Sequence, residues 1–226
     1  MADTQYQFYE CDNPECDLRF PGYKGFLRWN RCPICRSKTH LVAFVEHPAE
    51  KAKPANSSGK WKVEVLLDNI RSAWNVGSIF RTSDGTGIQK IYLCGISPTP
   101  ENPKVNKTAL GAEINIPWEK HNNGVKTANS LKSQGYILWA LEDLPDAEPL
   151  YRVDLPIINS PLVLIAGNEV CGVDPGIIET CDKVLSIPML GKKRSYNVAI
   201  AFGITASHLL YRQRFSQGSR KIFPST

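Results

Sequence analysis

The chain has 226 residues, 42% hydrophobic and 22% charged, with a formal net charge of +5. That composition excludes a disordered polyelectrolyte and leaves room for one core of ordinary domain size plus a small appendage. The start, MADTQYQFYECDNPEC, lacks the basic and apolar runs of a signal peptide, and no stretch approaches the ~20 apolar residues of a membrane span, so the expectation is a cytoplasmic protein with no membrane partner.

The first element, residues 1–46, carries two close cysteine pairs, Cys11 with Cys16 and Cys32 with Cys35. An odd total of 7 cysteines argues against a disulfide framework, and four thiolates at this spacing can close a tetrahedral site. A segment this small gains its folding energy from the metal. The expectation is a zinc ribbon with Cys11, Cys16, Cys32 and Cys35 holding a structural zinc; His40 or His47 could replace one thiol, or the thiols could simply be buried. A closed site has no open position for water, so the unit presents a surface rather than a reaction. Lys24, Arg28, Arg31, Arg36 and Lys38 interleave with Tyr23, Phe26 and Trp29. That mixture suits phosphates and stacked bases, and equally an aromatic miniature core with cations outside. Cys94, Cys171 and Cys181 lie elsewhere and are expected to pack as small apolar residues.

Residues 47–60, within EHPAEKAKPANSSGK, have no apolar period and read as a linker. The main domain then spans 61–214, followed by a basic tail at 215–226. VEVLLDNI reads as a buried strand, VGSIFRTSDGTG as a helix start with apolar Val76, Ile79 and Phe80 on one face, closed by glycines, and IQKIYLCG as the next strand. ISPTPENPKVNKTALGAEINIPWEK reads as a long loop; GVKTANSLKSQG is helical and YILWALE a strand. PLVLIAG and KVLSIPM bracket a short helical DPGIIETC, and a helix from about Asn197 to Arg214 closes the chain. Strands alternating with helices predict an α/β fold, a mainly parallel sheet covered on both faces. After Asp182 there is no acidic residue, while Lys183, Lys192, Lys193, Arg194, Arg212, Arg214, Arg220 and Lys221 follow. They form either a solvated face or an anion-binding one.

Three loops at strand ends concentrate the chemistry: NIRSAWNVGSIFRT from Asn69, GNEVCG from Gly167, and IPMLGKKRSYN from Ile187. Such loops converge on one crevice in an open α/β sheet. There is no dinucleotide-binding glycine fingerprint, no phosphate-cradling loop, and no Ser-His-Asp arrangement; His121 and His208 fall outside the loops. Taken singly, Arg81 could only pair with Asp84 or Glu113, Ser195 could only cap a helix, and Asn197 could only satisfy orphan backbone groups.

In order and spacing, however, NIRSAWNVGSIFRT, GNEVCG and IPMLGKKRSYNVAIA resemble the three motifs of the SpoU/TrmH-type branch of the SPOUT superfamily. These are knotted RNA ribose 2′-O-methyltransferases that use S-adenosylmethionine, and the resemblance covers residues 61 to about 213. It implies a C-terminal deep trefoil knot holding the cofactor, with Leu141, Gly167, Gly172, Ile187, Met189, Ser195 and Tyr196 around it. It implies Arg81 as the group acting on the ribose hydroxyl, Asn75 orienting the site, Glu169 with Asn168 pinning the first loop, and Ser195 and Asn197 bordering the pocket. It also implies a homodimer acting on structured RNA, tRNA or rRNA. The third motif departs from the common Ser-Leu-Asn-Val-Ser at Tyr196 and Ala199. A different class, a catalytically inactive knotted RNA-binding scaffold with a zinc ribbon, is the alternative, and base methylation a third.

Overall fold

The computed structural model describes residues 6–23, 30–44, 61–155 and 160–216. The linker expected at 47–60, the cations and aromatics Lys24, Phe26, Arg28 and Trp29, His47, and residues 217–226 lie outside that set. The chain divides into two compact units, Met1–Ser57 and Ser58–Thr226.

In the first unit, β1 (Tyr6–Cys11) sits between β2 (Arg19–Tyr23) and β3 (Thr39–Phe44), antiparallel to both. Its described interior is little more than Cys11, Phe20 and Cys32. An interior so small cannot offset chain entropy by apolar burial alone. Each cysteine pair spans a tight turn ending in a left-handed residue, Asp17 (φ 45°) after Cys16 and Arg36 (φ 65°) after Cys35.

The second unit is built on seven strands, all parallel to their neighbours. In chain order these are β4 (Val63–Asp68), β5 (Ile91–Cys94), β6 (Trp118–His121), β7 (Ile137–Leu141), β8 (Glu148–Pro149), β9 (Leu162–Ala166) and β10 (Lys183–Ser186). Their order across the sheet is β6-β5-β4-β9-β7-β10-β8. The chain builds outward from β4 on one side, then crosses to the other, and a crevice opens at the carboxyl ends of the strands on that other side, β9, β7 and β10.

The helices are α1 (Ala73–Thr86), α2 (Pro103–Ala109), α3 (Ala112–Asn115), α4 (Gly124–Ser133), α5 (Pro175–Ile178) and α6 (Val198–Ser216). Strand alternation divides the core in two. Leu162 and Leu164 of β9 join Val76, Ile79 and Phe80 of α1 and Phe202 and Ala206 of α6 on one face. Val163 and Ile165 join Ala128 and Leu131 of α4 and Ile177 of α5 on the other. Buried on both faces, the central strands need the continuous apolar runs that the sequence supplies.

One expectation is corrected. The stretch read as a loop, Ile96 to Lys120, contains α2, α3 and most of β6. Asn102 caps α2 by accepting from the Lys104 N–H at 3.0 Å, Pro103 stands in its first turn, and Val105 and Ala109 are buried one turn apart. Cys171 also differs from expectation: Cys94 is buried and Cys181 partly so, but Cys171 is exposed on the loop after β9.

Candidate active site and metal centre

The four cysteines come together. The Sγ atoms of Cys11, Cys16, Cys32 and Cys35 all lie within 4.8 Å of one another. The contacts of 3.3 Å for Cys11 to Cys35 and 3.9 Å for Cys16 to Cys32 are too long for disulfides. They bracket the ~3.8 Å edge of a tetrahedron with ~2.3 Å metal–sulfur bonds, so the donor set fits zinc. His40 is engaged elsewhere, its Nδ1 2.6 Å from Asp12 Oδ1. Hydrogen bonds from Ser37 pull the Cys35 thiol down to about 6, whereas burial pushes Cys11 up to about 12.

The principal cleft, about 490 Å³, opens at the carboxyl ends of the strands. It is bordered by Leu141 to Asp143 after β7, Ala166 to Val170 and Gly172 after β9, Leu185 to Ile187 at the end of β10, and Arg194 to Val198 leading into α6. Leu141, Gly167, Gly172, Ile187, Ser195 and Tyr196 all line it; Met189 and Arg81 do not.

Glu169 fastens one wall to α1. Its Oε2 accepts from the Arg71 N–H at 2.8 Å, and its Oε1 accepts from the Ser72 N–H at 3.0 Å and from Asn75 Nδ2 at 2.8 Å. Asn75 Oδ1 in turn accepts from Asn197 Nδ2 at 3.1 Å, and Asn197 Oδ1 accepts from the Ala199 N–H at 2.9 Å. One chain of bonds thus joins all three motif loops. Asn197, not Ser195, satisfies an orphan donor of α6; the Ser195 hydroxyl has no hydrogen-bond partner among the described residues. Arg81 is exposed on α1, with no ion pair to Asp84, Glu113 or any other described residue.

The cations after Asp182 divide. Lys183 pairs with Glu148 at 2.6 Å, and Arg212 donates to the Val153 carbonyl at 2.7 Å. Lys192, Lys193 and Arg194 are exposed without an acidic partner among the described residues, and Arg194 lines the cleft.

Burial pushes the Glu169 carboxyl up, but the Arg71 and Ser72 N–H groups and the Asn75 amide together outweigh it and hold it below the ordinary 4.5. Its stabilising contribution is therefore complete at pH above 4.5 and disappears as pH falls through the lower folded value. Carboxyl-carbon NMR is expected to place its midpoint below 4.5, with the stability gap between wild type and Glu169→Gln narrowing through that midpoint; a midpoint above 4.5 contradicts the clamp.

The two loop glycines are required by the loop itself. Asn168 and Gly172 pair through reciprocal 2.9 Å backbone bonds. A Cβ on Gly167 would stand 2.3 Å from Gly172 C and from Val173 N, and Gly172 has φ +75° with Glu142 Oε2 2.2 Å from an added Cβ. Gly167→Ala is expected to spread the turn and weaken ligand binding in the cleft about tenfold or more, the scale of overpacking against backbone. Calorimetry with S-adenosylmethionine measures it, and an unchanged Kd contradicts it.

Glu142 was not singled out by the sequence. Its Oε2 accepts from the Val173 N–H at 2.9 Å, closing the same turn from β7. An acidic residue just past a strand, opposite a glycine turn, is the only sequence signal it leaves.

An open parallel α/β sheet with a ligand-sized cleft at the carboxyl ends of β9, β7 and β10 defines the class as an α/β protein with a strand-end ligand site. The chain belongs to the SpoU rRNA Methylase family, whose model matches residues 62–207. It is similar to the tRNA (guanosine(18)-2′-O)-methyltransferase of Aquifex aeolicus, 33% identical over 158 residues covering 68% of this chain and 71% of the relative. It is also 33% identical to the 23S rRNA (guanosine-2′-O-)-methyltransferase of Pseudomonas aeruginosa, covering 66% of this chain and 58% of the relative. An AdoMet-bound rRNA methyltransferase from Sinorhizobium meliloti superposes with TM-score 0.63 at 27% identity, over 68% of this chain and 57% of that one. The SpoU methyltransferase AviRb of Streptomyces viridochromogenes, in complex with AdoMet, does so with TM-score 0.62 at 25% identity, over 81% and 71%. The chain spans less than two thirds of the P. aeruginosa and S. meliloti proteins.

Proposed function

We propose that this protein is an S-adenosylmethionine-dependent RNA methyltransferase that methylates a ribose 2′-hydroxyl of structured RNA, tRNA or rRNA. The observation that carries this reading is the bond chain Glu169–Asn75–Asn197, which draws three loops around one cleft in a member of the SpoU family. The cleft fits the cofactor: Leu141, Leu185, Ile187 and Val198 offer apolar wall, Ser195, Asn197 and Asp143 offer polar groups, and the volume falls within the ~300–1,000 Å³ of small-molecule sites. Leu141, Gly167, Gly172, Ile187, Ser195 and Tyr196, which line the cleft, would hold it.

When bound, the cofactor supplies a methyl group on a sulfonium centre. The chain supplies position and charge. Arg81, locked in its charged form, stabilises the developing alkoxide of the ribose rather than acting as a simple base. Asn75 orients the hydroxyl, and Glu169 fixes Asn75. Lys192, Lys193 and Arg194 meet RNA phosphates at the mouth of the cleft.

Arg81 lies outside the cleft lining of its own chain, which supports a homodimer in which α1 of one copy faces the cleft of the other. Exposed Trp74 and Ile200, near the starts of α1 and α6, supply apolar surface for it. We further propose that the C-terminal part of the domain forms a deep trefoil knot, a departure from ordinary topology; the meeting of the stretches after β7, β9 and β10 at one cleft supports it. The zinc-loaded N-terminal unit adds RNA surface through Arg31, Arg36 and Lys38, and the protein works among cytoplasmic RNAs. The inactive-scaffold alternative has no use for an unpaired Arg81 or for the three-loop tie. Methyl transfer from labelled S-adenosylmethionine to purified tRNA and rRNA tests the reading. Label in a 2′-O-methylated nucleoside supports it, and no transfer together with no cofactor binding contradicts it.

A further inference from the structure

Asp68, the last residue of the central strand β4, is 2% exposed and has no cationic partner among the described residues. Its Oδ1 accepts from Asn69 Nδ2 at 2.8 Å, and its Oδ2 accepts from the Asp174 N–H at 3.0 Å. An added Cβ on Gly124, the first residue of α4, would stand 2.7 Å from Oδ1, so the carboxylate is boxed in by backbone. A carboxylate placed there without a counterion costs desolvation, and two well-made hydrogen bonds must compensate.

Both donors belong to functional loops. Asn69 has φ +55°, a left-handed conformation uncommon outside glycine. Four bonds hold it there: its side-chain amide to Asp68, its Oδ1 accepting from the Ile96 N–H at 3.2 Å, its carbonyl accepting from Asn168 Nδ2 at 2.7 Å, and its own N–H donating to the Cys94 carbonyl at 3.2 Å. Asp174 ends the turn that starts at Gly167, and its own Oδ1 accepts from the Gly176 N–H at 2.8 Å to cap α5.

We infer that Asp68 is a positioning residue: it anchors the cleft turn 167–174 and the first motif loop to a common point behind the cleft, and so sets the register in which Glu169 meets Asn75. Glu169 ties the two loops at the front, Asn168 in the middle and Asp68 at the back. Three ties fix an orientation that one leaves free to pivot. Burial raises the Asp68 carboxyl above the usual range while the Asp174 N–H draws it down, as expected of a carboxylate kept for its geometry. The inference rests on the methyl-transfer reading, because it assigns the anchored turn to the cofactor cleft.

Asp68→Asn removes one acceptor and leaves the volume unchanged, so either Asn69 or Asp174 loses its partner. The expected result is an S-adenosylmethionine Kd about tenfold higher, the scale for a buried donor without an acceptor, with KM for RNA unchanged. Asn69→Ala, which cuts the same tie from the half-buried side, is expected to act in the same direction should Asp68→Asn not fold. A double-mutant cycle of Asp68→Asn with Glu169→Gln separates positioning from general loosening: the two effects on Kd should not multiply, since both release the same turn. Unaltered Kd in both Asp68→Asn and Asn69→Ala, or effects that multiply independently with Glu169→Gln, would overturn the inference alone. No cofactor binding by the wild type would overturn the methyl-transfer reading and the inference with it.

Discussion

Arg81→Ala is expected to lower methyl transfer about a hundred- to a thousandfold, the loss seen when one preorganised charge donor is removed from a developing oxyanion. Cofactor affinity should stay within about twofold, because Arg81 is exposed on α1 and absent from the cleft lining, and a group that touches only the transition state changes kcat rather than ground-state binding. Equal activity in the variant would remove Arg81 from the chemistry. The placement of Arg81 also carries a subunit argument. Mixing Arg81→Ala with a variant whose cleft is closed, such as Gly167→Val, should restore about a quarter of the sites if subunits pair at random and the arginine acts across the interface. No restoration would place its action within its own chain.

Removing the metal should have the second large effect, confined to the N-terminal unit. Four sulfurs within 4.8 Å surround a described interior of Cys11, Phe20 and Cys32, the last fully buried. Binding free energy of a structural zinc is then folding free energy. Metal analysis should find about one zinc per chain. A strong chelator, or Cys32→Ala, should make residues 6–44 sensitive to protease and weaken RNA binding, leaving cofactor binding unchanged because the cleft draws on the second unit alone. Protease resistance without metal would show that the thiols are only packed.

The sheet was legible because its central strands are apolar on both faces: VEVLLDNI, PLVLIAG and YILWALE contain β4, β9 and β7 with one or two extra residues at an end. The edge was less so. In β6, WEKH, all four positions are half-buried or exposed, so no run marks it. The short helices α2 and α3 carry too few turns for an apolar period, although Asn102-Pro103 announces the first of them. Motif order singled out Asn75, Glu169, Ser195 and Asn197; Glu169, Asn75 and Asn197 are joined by one chain of bonds, and Ser195 lines the cleft beside them. What the motifs concealed was depth. Asp68 reads as one polar residue ending a strand, and its partner Asp174 lies 106 positions away; Glu142 reaches Val173 across 31 positions. Contacts of that range follow from strand order, which local patterning does not encode. The position of Arg81 off the cleft wall depends in the same way on how α1 packs over the sheet.

The most direct measurement is mass spectrometry of nucleosides from tRNA and rRNA of cells with and without this protein. Loss of a single 2′-O-methylated nucleoside, restored by the wild-type chain and not by Arg81→Ala, is the predicted result. An unchanged set of 2′-O-methylated nucleosides, or loss of a base-methylated one in its place, would contradict ribose methylation as the reaction of this cleft.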